Sequence, residues 1–265
     1  MNWLKIFLTT SSAALAAQVG IAIYSVSTQA DCPASAIPIS SQINALSPIL
    51  SQTSISAQEI ANEPSQFSAA DKDVLQFTTW DPDKIREVKE RPGFKSYGMS
   101  DLELLCIIAY TEARYYSVNE DLRSGDTTFG PYVKKLVGAI SKLPTYKGVV
   151  YRGMTSHAGF NFDDYQVGKK VSDLAFLSTS AISSIADQYS IGRLSPNDEL
   201  FQRGYTTGAA KLIMHSNTGH SIEAYTDHPD ESEVLFAPNT SFTVTKRTMK
   251  MVNGRPFYTI EMQEN

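Results

Sequence analysis

Two glutamates one residue apart, Glu231 and Glu233, head the apolar run Val234-Leu235-Phe236 in the stretch HPDESEVLF. On an extended strand, alternation puts both on one face with Ser232 on the other, about 6–7 Å apart. At an effective dielectric of roughly 20 they repel by about 2–3 kcal/mol. Such a pair either ends a strand in open water or meets positive charge, as a bound cation or a cationic transition state.

Two other stretches bear on that choice. VVYRGM reads as a strand with one cation, Arg152, just before Gly153. FLSTSAISSIADQYS presents Ser178, Thr179 and Ser180 at the end of an apolar run. Each has an ordinary explanation: a strand arginine in a structural ion pair, or hydroxyls capping the next helix. Together they supply a fixed cation for an anionic ligand, hydroxyls to orient a carboxylate, and carboxylates to stabilise developing positive charge.

The elements that must hold these groups come in two blocks. Ser100 and Glu103 form an S-x-x-E capping box ahead of LLCIIAYTEARYYSVNEDLR, which carries apolar residues at helical spacing. GPYVKKLVGAISKLP follows as a second helix that stops at Pro144. After Tyr146 the segments GVVYRGM, AAKLIMHS, SEVLFAP, SFTVTKRTMK and PFYTIEMQ are short, β-branched or aromatic, and separated by Gly, Pro and Asn. Helices followed by strands predict an α+β domain with mostly antiparallel pairing.

The ordered set of Tyr151-Arg152, Ser178-Thr179-Ser180 and Glu231-Ser232-Glu233 resembles the arginine-serine-glutamate class of mono-ADP-ribosyltransferases, the family of bacterial actin-modifying and related exotoxins. The resemblance spans most of the chain after about residue 95, and YTEARYYSVNEDLR is similar to the family's helix beside the nicotinamide pocket. It implies a helical N-terminal lobe on a mixed, mostly antiparallel two-sheet β core. It also implies NAD as substrate, with no cofactor or metal, and transfer of ADP-ribose to an arginine of a host protein, actin being the family-level candidate. Arg152 would hold the NAD phosphates, Ser178 would aim the catalytic Glu233 at the ribose, and Glu231 would engage the incoming guanidinium.

The resemblance extends to further NAD contacts at Tyr110, Tyr115, Asn119, Gly153, Thr179 and Arg193. There are two departures. Ala175 stands where relatives often carry Asn, and no aromatic closely precedes the glutamate pair, His228 being three residues before Glu231 and Tyr225 further back.

Residues 1–30 read as an export signal, with Lys5 ahead of an apolar run and cleavage after Ala30 or, earlier, after Ala16. An uncleaved anchor is the alternative, which Gln18 and the Ser and Thr residues make a poor permanent span. Residues 31–68 read as a linker or pro-segment, and 69–265 as the catalytic domain. The expectation is a secreted toxin with no membrane span once the signal is removed. A formal charge of −5 argues against a nucleic-acid groove. Of the two cysteines, Cys106 reads as a buried apolar residue, with a bridge to Cys32 as the alternative. The four histidines lack metal-ligand spacing.

Three other functions remain open. A glycosidase also uses two carboxylates, roughly 6.5–9.5 Å apart in the inverting class, but places them on separate elements across the sugar. An NAD glycohydrolase would use the same site with water as acceptor. A non-enzymatic exported binding module would leave the motifs without chemistry.

Overall fold

The computed structural model describes residues 67–156 and 162–265. The expected leader, nearly all of the linker, and Cys32 lie outside them.

Five helices come first: α1 (Ala69–Leu75), α2 (Pro82–Lys89), α3 (Asp101–Ala109), α4 (Tyr115–Ser124) and α5 (Gly130–Ser141). Their starts follow local chemistry. Ser68 and Asp81 accept backbone N–H bonds at the heads of α1 and α2, and Pro82 sits where a missing N–H costs nothing. The capping box at α3 is complete, with Ser100 Oγ accepting from Glu103 N and the Glu103 carboxylate accepting from Ser100 N. The single long helix expected here is instead two, joined by a π-helical turn at Tyr110–Arg114. That turn inserts an extra residue and re-aims the side chains after it. Gly125, at φ 76°, ends α4 in the left-handed conformation glycine accepts readily.

Eight strands follow: β1 (Gly148–Ser156), β2 (Lys170–Ser172), β3 (Leu177–Ser180), β4 (Gly208–Ser216), β5 (His220–Ser221), β6 (Glu233–Phe236), β7 (Ser241–Val252) and β8 (Arg255–Glu264). Two short helices, α6 (Ser183–Gln188) and α7 (Glu199–Gln202), lie between β3 and β4. The strands pair in the order β2-β7-β8-β4-β1-β3-β6-β5, and β4 with β8 is the one parallel pair among the described strands. The expected two-sheet core is therefore one hydrogen-bonded sheet with a narrow seam. β1 pairs β4 along its whole length, but meets β3 at a single register pair, Tyr151 with Ser180.

The hydrophobic core lies on both sides of β6, whose four residues are all buried. Leu235 packs with the helical cluster of α3 and α5, including Ile107, Tyr132 and Leu136. Val234 and Phe236 pack with the sheet cluster of Val150, Met214 and Phe242. Period-2 alternation therefore points Glu233, with Leu235, toward the helical side. Among the described residues Cys106 is a free thiol inside the helical cluster, and burial pushes it up to about 12.

Candidate active site

The seam between β1 and β3 brings the three motifs together. In the antiparallel β3–β6 pair, Ser178 lies opposite Leu235, Thr179 opposite Val234 and Ser180 opposite Glu233. The two serines thus share the face of Glu233, and Thr179 points away. Ser178 Oγ donates to Glu233 Oε1 at 2.5 Å, along the diagonal of the pair. Ser180 Oγ donates to the backbone carbonyl of Glu231 at 2.6 Å and accepts from Ile182 N at 2.8 Å. Each serine therefore fixes one glutamate, Ser178 through the carboxylate and Ser180 through the backbone.

The glutamates do not share a strand face, as an extended reading had them. Glu231 ends a 3-10 turn, Pro229–Glu231, and only Glu233 belongs to β6. Between them Ser232 takes φ 43° and ψ 52°, a left-handed conformation that costs a non-glycine residue about 1–2 kcal/mol. Pro229 starts the turn, and Ser232 O accepts from Ala181 N at 3.1 Å to hold it.

Burial chiefly pushes the Glu233 carboxyl up to about 7. The Ser178 hydrogen bond opposes this, Glu231 adds to it, and Arg152 and His228 oppose it. A carboxylate held dry beside a hydroxyl, with a second carboxylate nearby, stabilises a cation more strongly than one in water.

Arg152 stands on β1 where β1 and β3 part, and its NH1 donates to Ser178 O at 2.6 Å. Among the described residues it makes no salt bridge, and its buried Nε has no hydrogen-bond partner. Burial lowers its pKa. A desolvated guanidinium without a carboxylate is costly unless an anion completes it. Arg152 opens onto a cavity of about 490 Å³ lined also by Tyr115, Tyr116, Asn119 and Arg123, within the range of small-molecule sites. Arg123 is already paired, donating to both carboxylate oxygens of Asp173 at 2.9 and 2.6 Å. Among the described residues that line the cavity, the positive charge without a salt-bridge partner is that of Arg152.

The further residues separate into those at the cavity and those behind it. Tyr115 is half-exposed on its wall. Asn119 reaches the wall too, but its amide is occupied: Nδ2 donates to Tyr110 Oη at 3.0 Å and Oδ1 accepts from Phe176 N at 3.2 Å. It pins α4 to the segment leading into β3. Tyr110, expected at the ligand, is a core residue, 1% exposed and packed against Phe176. Thr179 is also turned away, its buried hydroxyl donating to Val234 O at 2.6 Å. Gly153 lies beneath α6, where a Cβ would fall 2.2 Å from Ala186 O and 2.8 Å from Tyr189 Cβ. Its missing side chain lets α6 and Tyr189 sit against β1. Arg193, in a 3-10 turn, pairs with Asp198 at 3.2 Å and lies 6.0 Å from the Tyr189 ring.

Tyr189 was not singled out from the sequence. It follows α6, is about half-exposed, and its hydroxyl donates to Glu231 Oε1 at 3.4 Å. Burial, then Glu231, raises its phenol pKa. Among the described residues Tyr189, from a different element, is thus an aromatic in contact with Glu231.

A family profile described as NAD:arginine ADP-ribosyltransferase matches residues 56–255. Among curated proteins, the chain is 31% identical over 146 residues to the putative NAD(+)--arginine ADP-ribosyltransferase Vis of Vibrio splendidus, covering 50% of this chain and 53% of Vis. It is 29% identical over 153 residues to the NAD(+)--protein-arginine ADP-ribosyltransferase Tre1 of Serratia proteamaculans, covering 56% of this chain and 30% of Tre1. The chain spans about half the length of Vis and less than a third of Tre1. Its fold is similar to that of the ADP-ribosyltransferase HopU1 of Pseudomonas syringae pv. Tomato, with a TM-score of 0.54 at 17% identity over 74% of this chain and 97% of that one. It is also similar to the type III effector XopAI of Xanthomonas axonopodis pv. citri, with a TM-score of 0.53 at 18% identity over 85% and 99%. Since the profile covers 200 of 265 residues and its arginine, serine and glutamates meet at one seam, the chain belongs to the NAD:arginine ADP-ribosyltransferase family.

Proposed function

We propose that this protein transfers ADP-ribose from NAD to an arginine side chain and releases nicotinamide. The observation that carries the reading is the buried Glu233 carboxyl held by Ser178, beside an Arg152 whose Nε has no hydrogen-bond partner among the described residues. The cation suits the pyrophosphate of a dinucleotide, and the carboxylate suits a sugar carbon that turns positive as its leaving group departs.

In this scheme the ribose C1′–N bond breaks and its electron pair leaves with nicotinamide. Glu233, as the carboxylate, stabilises the positive charge left on C1′. A guanidine nitrogen of the acceptor forms the new bond to C1′, and its proton passes to Glu231. Tyr189 restrains Glu231 from one side and Ser180 holds its backbone from the other. The names of Vis and Tre1 support arginine as the acceptor class. The acceptor is read as an arginine of a host protein, with actin the first candidate to test, and the protein as an exported toxin with residues 1–30 as leader, 31–68 as linker and 69–265 as catalytic domain.

The test is incubation of the purified protein with labelled NAD and agmatine, beside Glu233→Ala. Label on agmatine in the wild type and none in the variant is expected. Nicotinamide release without labelled agmatine would make it a glycohydrolase, and no turnover would leave a binding module.

A further inference from the structure

The loop that delivers Glu231 is anchored twice. At its far end Ser180 holds the Glu231 carbonyl. At its near end, four residues before Glu231, Asp227 is gripped by two cations of the helical lobe. Lys84 Nζ lies 2.5 Å from Asp227 Oδ2, and Arg91 NH2 lies 2.7 Å from Asp227 Oδ1. Arg91 NH1 also donates to the carbonyl of Thr226, a residue with no exposed surface. Glu87, one turn back on α2, orients Arg91 at 2.6 Å. The three clamping side chains are only about one-fifth exposed (22% for Lys84, 19% for Arg91, 22% for Asp227), so water screens them weakly. Glu112, on the π-helical turn, faces the same carboxylate.

Between the anchors the chain has little slack. His228 N donates to Thr226 Oγ1, Pro229 fixes the start of the 3-10 turn, and Ser232 closes it in the left-handed conformation. A shift at Asp227 must therefore move Glu231. Glu233 is different, since it sits on β6 and takes its orientation from Ser178 on β3.

We infer that Arg91 and Lys84 are positioning residues for the acceptor-side glutamate: through Asp227 the helical lobe sets where Glu231 stands, while the sheet alone sets Glu233. This rests on the proposed division between an acceptor-side and a sugar-side glutamate. The clamp therefore governs transfer to a guanidinium and leaves cleavage of NAD largely alone.

The experiment compares Arg91→Ala, Arg91→Lys and Asp227→Asn with wild type in two assays on one preparation: labelling of agmatine, and nicotinamide release without acceptor. Arg91→Ala and Asp227→Asn should lose transfer about tenfold or more, with nicotinamide release within about threefold of wild type, and Arg91→Lys should recover part of the transfer. Lys135→Ala serves as the stability control. It breaks a comparable ion pair in the helical lobe, Lys135 to Asp71 at 2.7 Å, and should leave the ratio of the two activities unchanged. Equal loss of both activities, a matching change of ratio in Lys135→Ala, or no change in any variant would overturn the clamp. A wild type that releases nicotinamide yet never labels agmatine would overturn the transferase reading instead.

Discussion

The Ser178 hydroxyl donates to Oε1 of Glu233 at 2.5 Å, and these two side chains occupy a diagonal of the β3–β6 pair. A hydrogen bond to an ionised group contributes about 1.5–3 kcal/mol. This one both aims the carboxylate and favours its charged form. Ser178→Ala should therefore lower nicotinamide release and agmatine labelling together, by roughly tenfold to a hundredfold. Steady-state kinetics of both reactions at one pH would check this. Loss of labelling alone would contradict the role given to Ser178.

Glu233 should also set the pH dependence. Its carboxyl is held at about 7, against an ordinary 4.5, so the free enzyme carries the reactive carboxylate only as pH rises through neutrality. The rate of NAD cleavage at low NAD should rise from pH 5.5 to 8.5 with an inflection near about 7. Ser178 opposes the upward shift, so Ser178→Ala should move the inflection higher. A flat profile in both proteins would contradict the assignment.

The same shift makes a stability prediction. A carboxyl raised in the folded state favours folding at low pH, and that contribution is lost as pH climbs from 4.5 through about 7. Over that interval the loss is about 3 kcal/mol as an upper figure. Glu233→Gln keeps the shape without the charge, so it should be more stable than wild type at pH 8 and nearly equal at pH 4.5. Urea unfolding at the two pH values would measure the difference.

Arg152 should report anion binding directly. Among the described residues its buried Nε has no hydrogen-bond partner and its guanidinium makes no salt bridge. ADP-ribose at concentrations well above its Kd should raise the melting temperature of the wild type by several degrees. Arg152→Ala should lose most of that shift. An equal shift in both proteins would place the anion elsewhere.

The parts legible in the sequence were those set by local chemistry. Ser100 and Glu103 announced α3, and the β-branched runs announced five of the eight strands. The residue types of the arginine, serine and glutamate motifs were legible for the same reason. The geometry of the glutamate pair was not. It depends on Ser232 entering the left-handed region, which a serine does only when held, here between Ser180 and Ala181. Pro229 was a warning, since it cannot donate within a strand ladder. The π turn was not legible because the apolar spacing of LLCIIAYTEARYYSVNEDLR reads as helical straight through it. Tyr110 and Thr179 read as ligand contacts because spacing alone cannot tell which face of a helix or strand meets the core. Tyr189 and the Arg91–Asp227 clamp join elements 42 and 136 residues apart, and no local pattern encodes such pairs.

The most direct test of the account is a side-by-side comparison of Glu231→Ala and Glu233→Ala, measuring nicotinamide release and agmatine labelling from the same NAD. Glu233→Ala should lose both, because the sugar carbon has lost its stabilising carboxylate. Glu231→Ala should lose labelling and keep a substantial part of nicotinamide release, because only the acceptor side has been emptied. Equal loss of both activities in the two variants would contradict it, and so would a Glu233→Ala protein that still labels agmatine.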